Sequence, residues 1–313
     1  MTFPPIDPLA TGRLRTRDGQ EIHWETSGNP RGKPALYLHG GPGSGILTGH
    51  RRRFDPERWL VVALEQRGCG RSTPRVTDAL DTLATNTTDA LIADIEALRE
   101  HLGIDAWLVH GVSWGTTLGL AYAQAHPERV TELVLICVVS TSAAEVTWIT
   151  EDLRRVFPRE WERFEAASKR RPGQRVIDAY HERITSPDPI ERDEAARAWC
   201  AWEDTHVSLD PRYRPQPLFD DPVFRGTFAT LTIHYWKHAG FLDDGALLSR
   251  MDRIAHIPGA MIHGRLDISS PLEWPWQLQR AWPKSTLTII DDEGHGGETM
   301  IAEVVSAIAR FAP

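Results

Sequence analysis

Ala106-Trp107-Leu108-Val109-His110-Gly111-Val112-Ser113-Trp114-Gly115-Thr116-Thr117-Leu118-Gly119-Leu120 passes from an apolar run, through a sharp turn, into a helical pattern. The first part has the length and composition of a short buried strand, and the last reads as a helix continuing to about Gln124. Between them stands Gly-x-Ser-x-Gly in the context that gives the motif meaning, with a strand before it and a helix after. A strand-to-helix turn this tight forces its middle residue into a strained backbone, and side chains at Gly111 or Gly115 would collide with neighbouring elements. Ser113 is thereby expected at the C-terminal edge of a sheet, beside the positive end of a helix.

Outward from this elbow, strand and helix patterns alternate. Upstream, Gly12 to Thr16 and Glu21 to Thr26 alternate around Asp18-Gly19, a hairpin signal. Pro34 to Leu38 is a short strand running into His39-Gly40-Gly41-Pro42-Gly43, and Trp59 to Leu64 is another, ending at Glu65-Gln66-Arg67-Gly68. Leu91, Ile95, Leu98 and Leu102 fall at helical spacing over Asp89 to His101, with Thr87 or Thr88 as cap and Gly103 as stop. Downstream, strands are expected over Glu132 to Val139, Gly259 to His263 and Ser285 to Ile290, with a last helix from Glu298 to about Phe311. Such alternation predicts a mainly parallel sheet covered on both faces. From Ser140 to Gly240 strand patterns vanish, charges dominate and tryptophans are interspersed, which predicts a helical insertion. The expected organisation is a core of residues 1–139 and 241–313 interrupted by a helical cap of 140–240.

Composition narrows the function. The chain has 313 residues, 41% of them hydrophobic, enough for a large core. A net charge of −8, from 43 acidic against 35 basic residues, gives no electrostatic support for nucleic-acid binding. The longest apolar run, Leu133 to Val139, is far too short to cross a bilayer, and no secretory signal is visible. Cys69, Cys137 and Cys200 are widely spaced and odd in number, which argues against a disulfide framework and suits a reducing cytoplasm. A cytoplasmic protein is expected, with no membrane or nucleic-acid partner; its oligomeric state is left open.

A serine hydroxyl is a weak nucleophile until a base takes its proton, and that base needs an orienting acid. The chain supplies them in the order serine, acid, histidine. Asp267 follows the strand ending at His263, and His295 follows the next strand within Glu293-Gly294-His295-Gly296-Gly297. Asp243, Asp291 and Asp292 are competing acids, less well placed after a strand. Gly40-Gly41-Pro42-Gly43 offers backbone N–H groups unshielded by side chains, as an oxyanion hole requires, and the Trp114 N–H is the other donor. His234 and His238, four apart, would make a metal pair on a helix, but no third ligand is signalled. No metal or cofactor is called for. Cys69 reads as a small buried residue rather than a reactive thiol.

On these residues the chain resembles the proline iminopeptidases, α/β-hydrolases that remove an N-terminal proline from peptides. The likeness spans nearly the whole chain. It rests on His39 to Gly43, Gln66-Arg67-Gly68-Cys69-Gly70-Arg71-Ser72, Asn86-Thr87-Thr88, Asp94-Ile95-Glu96, Gly111 to Leu118, and Ala198-Trp199-Cys200-Ala201-Trp202-Glu203. The resemblance implies an α/β-hydrolase fold with an inserted helical lid. It implies Ser113, Asp267 and His295 as triad, Gly41 and Trp114 as oxyanion hole, and Glu203 as partner of the substrate's free amino group. Three departures stand out. Glu65 replaces the usual aspartate before Gln-Arg-Gly, Thr232 stands where a second amine-binding glutamate is usual, and Ile136-Cys137-Val138 replaces Leu-Arg-Gly. The expected activity is a serine aminopeptidase releasing proline or another small N-terminal residue from a peptide. The alternative is a carboxylesterase or amidase with the same triad acting on a small ester or amide. A catalytically idle receptor on the same fold is the third reading, and the intact triad residues argue against it.

Overall fold

The computed structural model describes residues 2–313. In chain order it contains β1 (Ala10–Arg15), β2 (Glu21–Gly28), β3 (Lys33–Leu38), β4 (Trp59–Leu64), α1 (Thr88–His101), β5 (Trp107–Val112), α2 (Trp114–Ala125), β6 (Val130–Ile136), α3 (Ala143–Thr150), α4 (Pro158–Ser168), α5 (Val176–Ile184), α6 (Pro189–His206), α7 (Pro222–Lys237), α8 (Ala246–Ser249), β7 (Gly259–Gly264), α9 (Glu273–Ala281), β8 (Ser285–Ile290) and α10 (Glu298–Arg310). The strands form one eight-stranded sheet in the order β1-β2-β4-β3-β5-β6-β7-β8. β1 and β2 pair antiparallel, as does β2 with β4, and every later pairing is parallel. This is the α/β-hydrolase fold that the alternation and the resemblance led one to expect.

The apolar runs are continuous because both faces of the sheet are covered. Along β5, Trp107 and Val109 join Leu91, Ile95 and Leu98 of α1 and Leu118 of α2 in one core, while Leu108 faces Met300, Val304 and Ile308 of α10. The predicted cap of α1 is present, with the Thr87 hydroxyl accepting from Ala90 N–H at 3.3 Å.

One strand ends earlier than its composition predicts. The apolar run to Val139 suggested a strand over Glu132 to Val139, yet β6 spans Val130–Ile136. Cys137 turns out of the sheet at φ 53°, its N–H still bonded to Ile262 O at 3.1 Å. Val138 N–H then donates to His263 Nδ1 at 3.0 Å and Val139 N–H to Thr116 Oγ1 at 3.0 Å. Cys137 and Val138 are apolar because they remain buried, and Val139 lines the Ser113 cavity, so none of the three needs the strand to account for its character.

Between β6 and β7 the chain builds α3 to α7 around a second core, in which Phe164, Tyr180, Trp199 and Trp202 pack ring on ring. Most tryptophans of this segment are therefore packing. Helix α7 is fastened to the sheet layer by Asn86, whose Oδ1 accepts from Tyr235 Oη at 2.6 Å and whose carbonyl accepts from His234 Nε2 at 3.0 Å. Among the described residues no helix is long and apolar enough to cross a membrane.

β3 is followed by β4 on one side and neighbours β5 on the other, so the chain reverses its winding between β3 and β5. Open parallel sheets bind ligands beyond the C-terminal strand ends at such a switch point. The elbow lies there. A Cβ at Gly111 would sit 2.3 Å from Gly115 O, and one at Gly115 would sit 2.2 Å from Leu38 O. Both obstacles are backbone, so Gly111→Ala is expected to cost about 2–3 kcal/mol of stability. Urea unfolding checks this, and a midpoint equal to the parent's would contradict the clamp.

Candidate active site

Ser113 sits between the end of β5 and the first turn of α2 at φ 53° and ψ −123°. Its N–H donates to Ile136 O at 3.0 Å, and its carbonyl accepts from Thr116 N–H at 2.7 Å, so strand and helix hold the strained residue from both sides. His295 and Asp267, expected after β8 and β7, line up with it. His295 Nε2 is 2.9 Å from Ser113 Oγ, and His295 Nδ1 is 2.6 Å from Asp267 Oδ2. The other oxygen of Asp267 accepts from Ser269 Oγ at 2.9 Å and Ser270 N–H at 3.1 Å. The competing Asp291 instead pairs with Arg265 at 2.6 Å, and Asp243 with Arg250 at 3.3 Å.

Burial alone would raise the Asp267 carboxyl, but the charge and hydrogen bond of His295 outweigh it and hold the pKa below the ordinary value. Burial likewise disfavours the His295 imidazolium. Asp267, with Glu203 and Glu145 further off, overrides that and keeps the imidazole pKa above its ordinary value. With its Nδ1–H on Asp267, the neutral imidazole turns an Nε2 lone pair toward Ser113 Oγ, the arrangement a general base needs.

The glycine loop after β3 lies against the serine, since a Cβ on Gly40 would come within 3.1 Å of Ser113 Cβ. Gly41, at φ +107°, lines the same cavity as Ser113 and Trp114. The Trp114 N–H is the first of α2, one of the four that a helix leaves without an internal acceptor. Gln66, quoted from the sequence only as part of a motif and given no role there, holds the two parts together. Its Oε1 accepts from Trp114 Nε1 at 2.9 Å, its Nε2 donates to His39 O at 3.0 Å, and its N–H donates to His39 Nε2 at 3.1 Å. The departures from the family pattern also have places. Glu65 accepts from Ile46 N–H at 3.3 Å and pairs with Arg71 at 3.0 Å. Thr232 is fully buried and donates to Pro42 O at 3.3 Å, so it braces the glycine loop.

Glu203 of α6 lines the Ser113 cavity together with Trp114, Glu145, Ile149 and Trp236. Its Oε2 is buried and has no hydrogen-bond donor among the described residues, and the nearest cationic candidate, His206 Nε2, is 3.4 Å away. Glu145 is the second carboxylate there, which sequence reasoning missed. It accepts from Ser140 N–H at 2.8 Å, Thr141 N–H at 2.6 Å and Ser270 Oγ at 2.5 Å, so it ties α3 to the Asp267 loop. Burial raises its carboxyl above the ordinary value in spite of those donors.

Two further clusters form. His181 of α5 joins His234 and His238, with possible ligand atoms within 4.8 Å of one another. The third histidine came from another helix and left no spacing signal. Lys237 Nζ already sits 3.1 Å from His181 Nδ1, so a cation occupies the approach. Cys137 lies within the same limit of Asp267 and His295, but burial first, then the Asp267 charge, push its thiol well up. Cys69 is fully buried with Sγ donating to Gln66 O at 3.1 Å, and burial raises its thiol too.

A family profile described as alpha/beta hydrolase fold matches residues 33–297. The chain belongs to the α/β-hydrolase fold family. It is 46% identical over 317 aligned positions to the Streptomyces coelicolor protein named "Probable proline iminopeptidase", covering 99% of this chain and 97% of that one. It is 40% identical to the proline iminopeptidase of Arabidopsis thaliana, covering 97% of this chain and 80% of the relative. The solved proline iminopeptidase structure from Mycobacterium smegmatis superposes with a TM-score of 0.65 at 24% identity, over 96% and 98% of the two chains, and bears on the fold. At these identities over nearly its full length the chain belongs, within that fold, to the proline iminopeptidase family.

The carboxylates around His295 set a pH expectation. An activity that uses neutral His295 is lost as the imidazole protonates, so the acidic limb of kcat for an uncharged aryl ester should lie above pH ~6.5. Glu203 favours the imidazolium, so Glu203→Gln lowers the His295 pKa and moves that limb to lower pH. Profiles of the two proteins check this, and coincident limbs would contradict it.

Proposed function

We propose that the protein is a serine aminopeptidase that releases N-terminal proline from peptides. The observation that carries this reading is Glu203, whose buried oxygen has no donor among the described residues and which lines the cavity holding Ser113. An unpaired buried carboxylate oxygen is costly, and a substrate ammonium supplies the missing donors. The names of the relatives agree with it.

Ser113 Oγ attacks the carbonyl of the first residue while His295 takes the hydroxyl proton. The N–H groups of Trp114 and Gly41 stabilise the developing oxyanion. His295 then hands its proton to the leaving amine, and Asp267 keeps the imidazole in one tautomer throughout. Water, activated in turn by His295, releases proline from the acyl-enzyme. Helices α3 to α7, within the cap of residues 140–240, carry Glu203 and Trp236 over the C-terminal strand ends and so define the subsite for the first residue. Three free, buried cysteines suit a reducing cytoplasm, where we place the reaction.

The test compares a prolyl arylamide, its N-acylated form and a simple aryl ester. Cleavage of the free prolyl compound but not the acylated one is expected. Glu203→Gln should lower kcat/KM on the prolyl arylamide by about a hundredfold or more, as loss of a buried charge pair does. Ready cleavage of the ester with the prolyl arylamide untouched, and indifference to Glu203→Gln, would make the protein an esterase instead.

A further inference from the structure

Beside the cavity that Trp236 lines, the site opens into a second cleft of about 400 Å³ that Ser113, Glu203 and His295 also line. Val207, Tyr213, Phe219, Phe224 and Phe228 form its apolar wall, and the three phenylalanine rings pack together with centroids 5.0 to 6.1 Å apart. Arg53 lines it as well. Among the described lining residues Arg53 is the one arginine or lysine, and Glu203 the one acid.

Arg53 is held without being neutralised. Its Nη1 donates to His110 Nε2 at 2.8 Å, while His110 Nδ1–H donates to Val134 O at 2.8 Å, which fixes the tautomer with a lone pair toward Arg53. Burial first, and Arg53 second, push the His110 pKa down to about 3, so the ring stays neutral. The guanidinium also lies over the Tyr37 ring, 5.9 Å from its centroid. No carboxylate among the described residues pairs with it, whereas Arg51 nearby is held by Glu25 at 2.7 Å. A guanidinium with free donors in a cleft is a site for a carboxylate.

We propose that Arg53 receives the C-terminal carboxylate of the substrate, so that the enzyme acts on di- and tripeptides with an apolar residue after the first. This deepens the aminopeptidase reading and rests on it. The cleft then carries both charges such a substrate needs, Glu203 for the ammonium and Arg53 for the carboxylate, with Ser113 lining it as well. Ser113 and Arg53 line the same cleft, and each peptide residue beyond the scissile bond carries the chain about 3.5 Å further along it. The phenylalanine wall takes the intervening side chain.

The experiment measures kcat/KM for Pro-Phe and Pro-Phe-Ala as free acids and as C-terminal amides, with a prolyl arylamide as reference. For at least one length the acid should exceed the amide by about tenfold or more, mostly through KM, the scale of one charge-assisted bond. Arg53→Met should bring that ratio to about one, and Arg53→Lys should keep part of it. An acid-to-amide ratio near one at both lengths in the parent enzyme overturns the proposal. So does a ratio that survives in Arg53→Met. Failure to cleave the prolyl arylamide at all would instead overturn the aminopeptidase reading beneath it.

Discussion

Leu38 O, the last carbonyl of β3, comes so close to Gly115 that a methyl there would stand 2.2 Å from it, and the rest of the site depends on this crowding. It lets β5 turn into α2 within a few residues and leaves Ser113 at φ 53°, a backbone that costs about 1–3 kcal/mol and persists only where its surroundings over-determine it. Here they do, through Ile136 O on one side and Thr116 on the other. The same contact brings the loop after β3 alongside the serine. The proposed nucleophile and the proposed oxyanion donors are therefore positioned by one packing event, at the point where the sheet reverses its winding.

Around that rigid point the charges are unevenly balanced. Asp267 has a partner for each oxygen, and Glu145 is bonded by backbone and hydroxyl donors. Glu203 has a buried oxygen without a donor among the described residues. All three carboxylates raise the pKa of His295, which strengthens it as a base while moving its working range to higher pH. A cationic substrate seated on Glu203 would cancel part of that effect, so binding and basicity are linked through one residue. Thr232, which the resemblance aligns with a second amine-binding glutamate, braces Pro42 instead. The cavity is thus left with Glu203 as its free acceptor, beside a Glu145 whose hydrogen bonds tie it to the Asp267 loop.

Much of this could be read from the chain because it is local. The elbow, the strands on either side and the order of Ser113, Asp267 and His295 are contiguous patterns with fixed periods. What escaped was long-range. Gln66 lies 48 residues from the Trp114 it binds, and His181 comes from a different helix than His234 and His238. Neither carries a periodic signal. The end of β6 was misjudged because the N–H groups of Val138 and Val139 leave the ladder for His263 and Thr116, a change that apolar composition cannot separate from strand. Arg53 is the last of three consecutive arginines, a run with no signal of its own, and only the fold puts it in the cleft.

The central claim is that the strained Ser113, activated by His295 and Asp267, is the nucleophile. Intact-protein mass spectrometry after treatment with a fluorophosphonate tests it most directly. The account predicts one adduct per chain, mapped by proteolysis to Ser113, absent in Ser113→Ala and formed far more slowly in His295→Ala. An adduct on another residue, or labelling that proceeds equally without His295, would contradict it.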